Sequence, residues 1–231
     1  MRQVLLLAAL CTASLASAQA PLDPSQPDFS GIWRLVGYHA ATALDGQRAP
    51  PLLPEAAKVY AERKAALAKG DHSADPASTC LPEGMPRLML KAEPFEILQR
   101  PTLLAFNYQI NRLPRVVYLN QPPSTDDSGY YLGESTATWQ GDTLVVDTRD
   151  FNDLTWLDDS GLPHGTALKL TERLQLAPGA KQLVDRITIE DPENYKAPWT
   201  ITRRYERLPG YRMPEDVCAE KIGSSAPRRR K

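Results

Sequence analysis

The sequence predicts an all-β fold, mainly antiparallel, in which about eight to nine short strands close into a barrel with one helix on its surface. Three observations carry that expectation. From residue 95 onward apolar side chains recur at every second position, the period of a half-buried strand. The runs are separated by short turns rich in Gly, Pro, Asn and Asp, and helical periodicity is confined to one earlier segment. Consecutive strands joined by short turns favour an antiparallel meander, closed as a barrel or folded as a sandwich, over βαβ units.

Residues 1–18 read as a secretory signal: Arg2 supplies the charge, Val4 to Leu10 the apolar stretch, and Ala16-Ser17-Ala18 the cleavage site. That stretch is too short to span a bilayer permanently. Leu10 is bulky for lipidation at Cys11, so Cys11 belongs to the discarded peptide. Residues 19–221 then form one domain of ordinary size. A Pro-rich lead-in precedes the first strand, residues 28–38. Residues 54–69 place Ala56, Val59, Tyr60, Arg63 and Leu67 at helical spacing, with Pro54 in the first turn and Gly70 just past the end. Residues 71–87 form a Pro-containing connector. The strands follow at 95–99, 102–109, 115–119, 131–139, 142–149, 166–176, 182–190 and 198–208, with short turns at 139–143 and 177–181. Residues 222–231 end in Arg228-Arg229-Arg230-Lys231, a disordered basic tail.

The loop after the strand at 142–149 is the densest in chemistry. It holds Asn152, Asp153, Trp156, Asp158, Asp159 and His164, and loops on a rigid strand end are frequent sites, although Asn and Asp also dominate ordinary turns. Strand alternation marks three more groups. Glu172 shares a face with Leu168, Leu170, Leu174 and Leu176; Asp185 with Leu183, Ile187 and Ile189; Arg203 with Trp199, Ile201 and Tyr205. A charge on an apolar face is costly unless paired. The three line wetter strand ends, or Glu172 and Arg203 form one satisfied structural pair, or they make a polar patch inside a ligand cavity.

Cys80 and Cys218 remain after processing, and an even pair in an oxidising compartment predicts a disulfide. The formal net charge of −1 argues against a nucleic-acid partner or an electrostatic membrane footprint. His39 and His72 lie in polar loops, and Asp158-Asp159-Ser160-Gly161 lacks the alternating ligands of a calcium loop, so no metal and no other cofactor is predicted. The chain has no G-x-S-x-G, P-loop or G-x-G-x-x-G motif.

Gly31-Ile32-Trp33 in the first strand resembles the G-x-W that opens lipocalin-type barrels, where an Arg late in the last strand packs over the Trp; Arg203 or Arg204 would take that part. The chain is also similar, nearly end to end, to a group of secreted bacterial proteins without an assigned activity. The shared blocks run from Pro27-Asp28-Phe29-Ser30-Gly31-Ile32-Trp33 through residues 80–87, 94–99 and 141–148 to Phe151-Asn152-Asp153, Thr155-Trp156, residues 161–164 and Thr171-Glu172-Arg173. The resemblance implies a secreted barrel and carries no catalytic residue with it. The chain departs from that group at Pro122-Pro123, Glu134 and Gly165, where relatives have histidines and a serine.

The sequence therefore reads as a periplasmic or secreted, lipocalin-like barrel that takes a small, partly apolar ligand into its interior, with Arg203, Asn152, Trp156 and Asp185 as ligand-binding candidates. The alternative is a cofactor-free enzyme of the isomerase, lyase or hydratase type. There His164 moves the proton, Asp153 orients it, and Glu172 with Arg203 binds a substrate oxygen. A scaffold without ligand would instead have a filled barrel whose polar cluster is satisfied internally. The sequence predicts no membrane segment after cleavage and leaves the oligomeric state open.

Overall fold

In the strands alternate residues turn inward, and the sheet they build closes on itself. The computed structural model describes residues 21–41, 49–110 and 113–221; the expected signal segment and basic tail lie outside them. The strands are β1 (Gly31–Leu35), β2 (Phe95–Arg100), β3 (Leu103–Tyr108), β4 (Pro114–Leu119), β5 (Glu134–Gln140), β6 (Thr143–Arg149), β7 (Lys169–Leu176), β8 (Gln182–Glu190) and β9 (Trp199–Arg207). They form one closed barrel in chain order, which decides between barrel and sandwich.

The expected meander is interrupted once, because β4 and β5 pair in parallel. A tight hairpin cannot join parallel strands, so residues 120–133 run back along the barrel before β5 begins. Pro122 and Pro123 suit such a connection. It re-enters the sheet beside the end of β6, where Tyr130 bridges Phe151. The last step needs glycine: Gly133 has φ 65°, and a Cβ there would meet the Arg149 carbonyl at 2.7 Å.

Trp33 is fully buried, and its indole N–H donates to the Phe29 carbonyl at 2.9 Å. The arginine over its ring is Arg207, not Arg203 or Arg204: the Arg207 Cζ lies 4.3 Å from the ring centroid and its guanidinium also reaches the Ser30 carbonyl. The cause is register. The short β1 meets only the end of β9, with Trp33 opposite Arg207 and Leu35 opposite Tyr205, so Arg203 lies beyond the end of β1. Phe95, Phe106, Tyr108 and Tyr205 pack ring against ring across the interior, stacked, tilted and edge-on, with centroid spacings of 5.1 to 6.5 Å. Met89, from a 3-10 turn at Arg87–Leu90, packs into the same core and accepts the Tyr205 hydroxyl on its carbonyl at 3.2 Å.

The helix α1 (Pro54–Ala68) carries Pro at its first turn as expected. It sits shallowly. Ala56 is its one buried residue, and its contacts go to the loop after β6: Tyr60 hydroxyl to Ser160 at 2.8 Å, Arg63 to the Gly161 carbonyl at 3.2 Å. Cys80 and Cys218 form the expected disulfide, joining the end of a 3-10 turn (Pro76–Thr79) to α2 (Cys218–Lys221). Linking residues 138 apart stabilises by about 4 to 5 kcal/mol in the chain-entropy account.

Trp33→Ala removes a fully buried indole and is expected to destabilise by about 3 to 5 kcal/mol, lowering the melting temperature by roughly 10 °C or more. Calorimetry of the oxidised protein checks this, and an unchanged melting temperature would refute the anchoring role.

Candidate functional site

Among the described residues, the largely apolar barrel interior holds one charge cluster. Arg115 projects into it from β4, on the face of Val117 and Leu119. Its guanidinium donates to both oxygens of Glu172 on β7, one at 2.9 Å, and also to Thr148 Oγ1 on β6 at 2.8 Å and Ser135 Oγ on β5 at 3.0 Å. Both ends of the pair are buried. Burial works against the charged guanidinium, yet the Glu172 carboxylate outweighs it and raises the Arg115 pKa. Sequence reasoning missed Arg115 and offered Arg203 as the partner of Glu172. The alternation Arg115, Val117, Leu119 was the signal that could have found it.

Asp185 on β8 is the group left over. It lies opposite Leu174 on one side and Arg203 on the other, has no solvent exposure, and neither carboxyl oxygen has a hydrogen-bond partner of good geometry among the described residues. Burial first, and then the nearby Glu172 charge, push its carboxyl well above the ordinary range, only partly offset by Arg115, Arg203 and the Arg173 backbone N–H. The neutral form of Asp185 is therefore favoured. The Tyr108 hydroxyl is likewise buried without a well-formed hydrogen bond, and burial raises its pKa.

Arg203 connects this cluster to the surface. Its side chain turns to the Thr202 carbonyl, 2.9 Å away, and it lines a pocket of about 420 Å³ with Val36, Gly37, His39, Thr202 and Arg204. The pocket opens where β1 leaves β9: the last bond between them runs from the Val36 N–H to the Arg204 carbonyl. Of the expected site residues, Glu172, Asp185 and Arg203 thus share one electrostatic neighbourhood.

His164 belongs to a second group, in the loop between β6 and β7. Its Nδ1 lies 3.2 Å from the Gly165 carbonyl, so Nδ1 donates and Nε2 accepts the Thr155 hydroxyl at 2.7 Å. Burial lowers its pKa, and the charges around it are Asp191, Arg63 and Asp153. Asp153 itself is exposed, and the ring is oriented by Thr155 and Gly165. Thr155 reaches the ring because residue 84 is glycine: with φ 77°, a Cβ there would lie 2.3 Å from Thr155 Oγ1. Asn152 is spent on a turn, accepting the Leu154 N–H at 3.1 Å. Trp156 is buried between two guanidiniums, Arg63 at 5.0 Å and Arg87 at 5.6 Å. Arg87 in turn binds Asp75 with two bonds and pairs with Glu83 and Asp159, while Lys91 bridges the last two. These carboxylates clamp the loop to the barrel. Asp158 accepts the Ser160 and Leu162 N–H groups.

No family model matches the chain, and no curated protein matches it. Among the described residues no group of three His, Cys, Asp or Glu is placed to hold a metal ion, and no helix is long and apolar enough to cross a membrane.

Read from the sequence as a site residue, Glu172 would be dispensable for folding; its partner reverses that expectation. Glu172→Gln leaves the Arg115 charge buried and unpaired and is expected to cost about 3 to 5 kcal/mol, measurable by denaturant unfolding. Asp185→Asn is expected to do the opposite at neutral pH. The raised pKa lets the folded carboxyl hold its proton at pH values where the unfolded chain, with its ordinary value of 3.8, has already ionised, so wild-type stability falls as pH rises above that value. The variant should melt higher than wild type at neutral pH, and the gap should close below the ordinary carboxyl value. His164 has the reverse slope. Its folded pKa is depressed, so its contribution is complete above the ordinary 6.5 and is lost as pH falls below that. Thermal melts of His164→Gln across the acid range should show a weaker decline than wild type.

Proposed function

We propose that this barrel binds a small, partly apolar ligand in its interior, with the ligand's polar end at Asp185 and Tyr108. One observation carries the reading: among the described residues neither Asp185 oxygen nor the Tyr108 hydroxyl has a hydrogen bond of good geometry, although the Arg173 N–H lies near the first and the Arg115 guanidinium near the second. Leaving such a group unsatisfied costs about 1 to 3 kcal/mol, which ligand hydrogen bonds would offset. The walls around them, among them Phe95, Phe106, Leu174 and Ile187, are apolar. The pocket at Arg203 is the proposed route in, because its wall includes the residue that faces Asp185 across the sheet. A periplasmic or secreted location belongs to the same proposal, supported by the signal-like residues 1–18 and by the disulfide.

The proton-transfer reading gains no comparable support. Glu172 gives both oxygens to Arg115, and His164 gives both ring nitrogens to Thr155 and Gly165. A ligand-free scaffold, for its part, has no use for an unsatisfied Asp185.

Native mass spectrometry of the oxidised protein, purified from its own extracytoplasmic fraction, tests the proposal. A retained small molecule is expected on the wild type and is expected to be lost from an Asp185→Leu, Tyr108→Phe double variant that still melts cooperatively. Bare chain in both preparations would overturn it.

A further inference from the structure

The outer face of the barrel beside the Arg203 pocket carries an arrangement that simple solvation does not explain. Arg173 on β7 and Arg186 on β8 stand directly opposite each other, and both are exposed. Like charges at facing positions destabilise a sheet. Arg186 faces Thr202, a pocket residue, and Arg204, opposite Val184 in the next row, is itself part of the pocket wall. The two cross-strand rows that hold these arginines, from Thr138 to Thr202 and from Gln140 to Arg204, contain no Asp or Glu. The next acid along β9, Glu206, already pairs with Arg34. Arg173 has a neutral partner, the Gln140 side-chain oxygen at 3.1 Å. A chain of net charge −1 thus gathers a stripe of positive charge that leads to a pocket holding Arg203, Arg204 and His39.

Within the same pocket, Val36 is 45 % exposed and Gly37 contributes no side chain. The wall therefore offers cationic donors beside bare apolar surface. Resting on the interior-ligand reading above, we infer that the ligand is an amphiphilic monoanion, a carboxylate or its equivalent. Besides the polar group that meets Asp185 and Tyr108, it carries a charged end held at the rim by Arg203 and Arg204, and its approach is steered by Arg186 and Arg173. Guanidinium forks match a carboxylate geometrically, and charge-assisted bonds are roughly twice as strong as neutral ones. A positive stripe leading to a pocket raises the encounter rate with anions, in a salt-dependent way.

The test titrates the full oxidised chain with two probes that share a ring system and differ in charge, 2-naphthoate and 2-naphthamide. Naphthoate is expected to bind about tenfold more tightly than the amide, a preference that shrinks when salt rises from about 20 mM to about 0.5 M. The Arg186→Gln, Arg204→Gln double variant, altered only at exposed positions, should melt no lower than wild type and lose most of that preference. Equal binding of the two probes, or a preference unchanged in the variant, overturns the inference while leaving an interior ligand in place. Binding of neither probe overturns it as well, and a bare chain in native mass spectrometry would then remove the interior reading separately.

Discussion

The buried pair of Arg115 and Glu172 is the interaction around which the interior is organised. Through Thr148 and Ser135 it ties β4, β5, β6 and β7 together, spanning the one parallel joint in the barrel. A buried ion pair is stabilising only when its remaining donors and acceptors are also satisfied. Here the guanidinium reaches two carboxylate oxygens and two hydroxyls and sits 5.5 Å over the Phe106 ring. That completeness fixes the state of its neighbour. With Glu172 engaged by the guanidinium, burial and the nearby Glu172 carboxylate raise the Asp185 pKa and favour its neutral form.

A second, outer network has a different task. Arg87 and Lys91 pair with Asp75, Glu83 and Asp159, and both Arg63 and Arg87 lie against the Trp156 ring. Together with α1 and the disulfide these contacts hold the loop between β6 and β7 against the barrel. The crowding of carboxylates that makes this loop conspicuous in the sequence is consumed by local caps and clamps. The open chemistry lies instead inside the barrel, where single charged residues interrupt apolar strand faces, and at the rim where β1 ends.

Much of this was legible before any coordinates. The period-two runs gave strands close to their observed bounds, as for β6 at Thr143–Arg149 and β8 at Gln182–Glu190. Pro54 and Gly70 bracketed the helix, and the cysteine count gave the disulfide. Parity placed Glu172, Asp185 and Arg203 on inward faces, and all three are buried. The parallel β4–β5 joint was not legible, because strand periodicity carries no sign of direction. Nor was the arginine over Trp33: Arg203 and Arg204 were the expected candidates, but which arginine of β9 reaches the ring depends on where the short β1 meets β9, and that is Arg207.

The sequence by itself determined the all-β class, the inward set of each strand and the presence of charge among apolar residues, since these follow from side-chain chemistry and a local repeat. Tertiary structure alone decided which charges meet. Arg115 and Glu172 are 57 residues apart and join because closure brings β4 and β7 to face the same interior. Asp185 became the unsatisfied group only once that pairing was made. The stripe of Arg173, Arg186 and Arg204 likewise exists through register, which places residues from three strands side by side although nothing in their spacing along the chain marks them as neighbours.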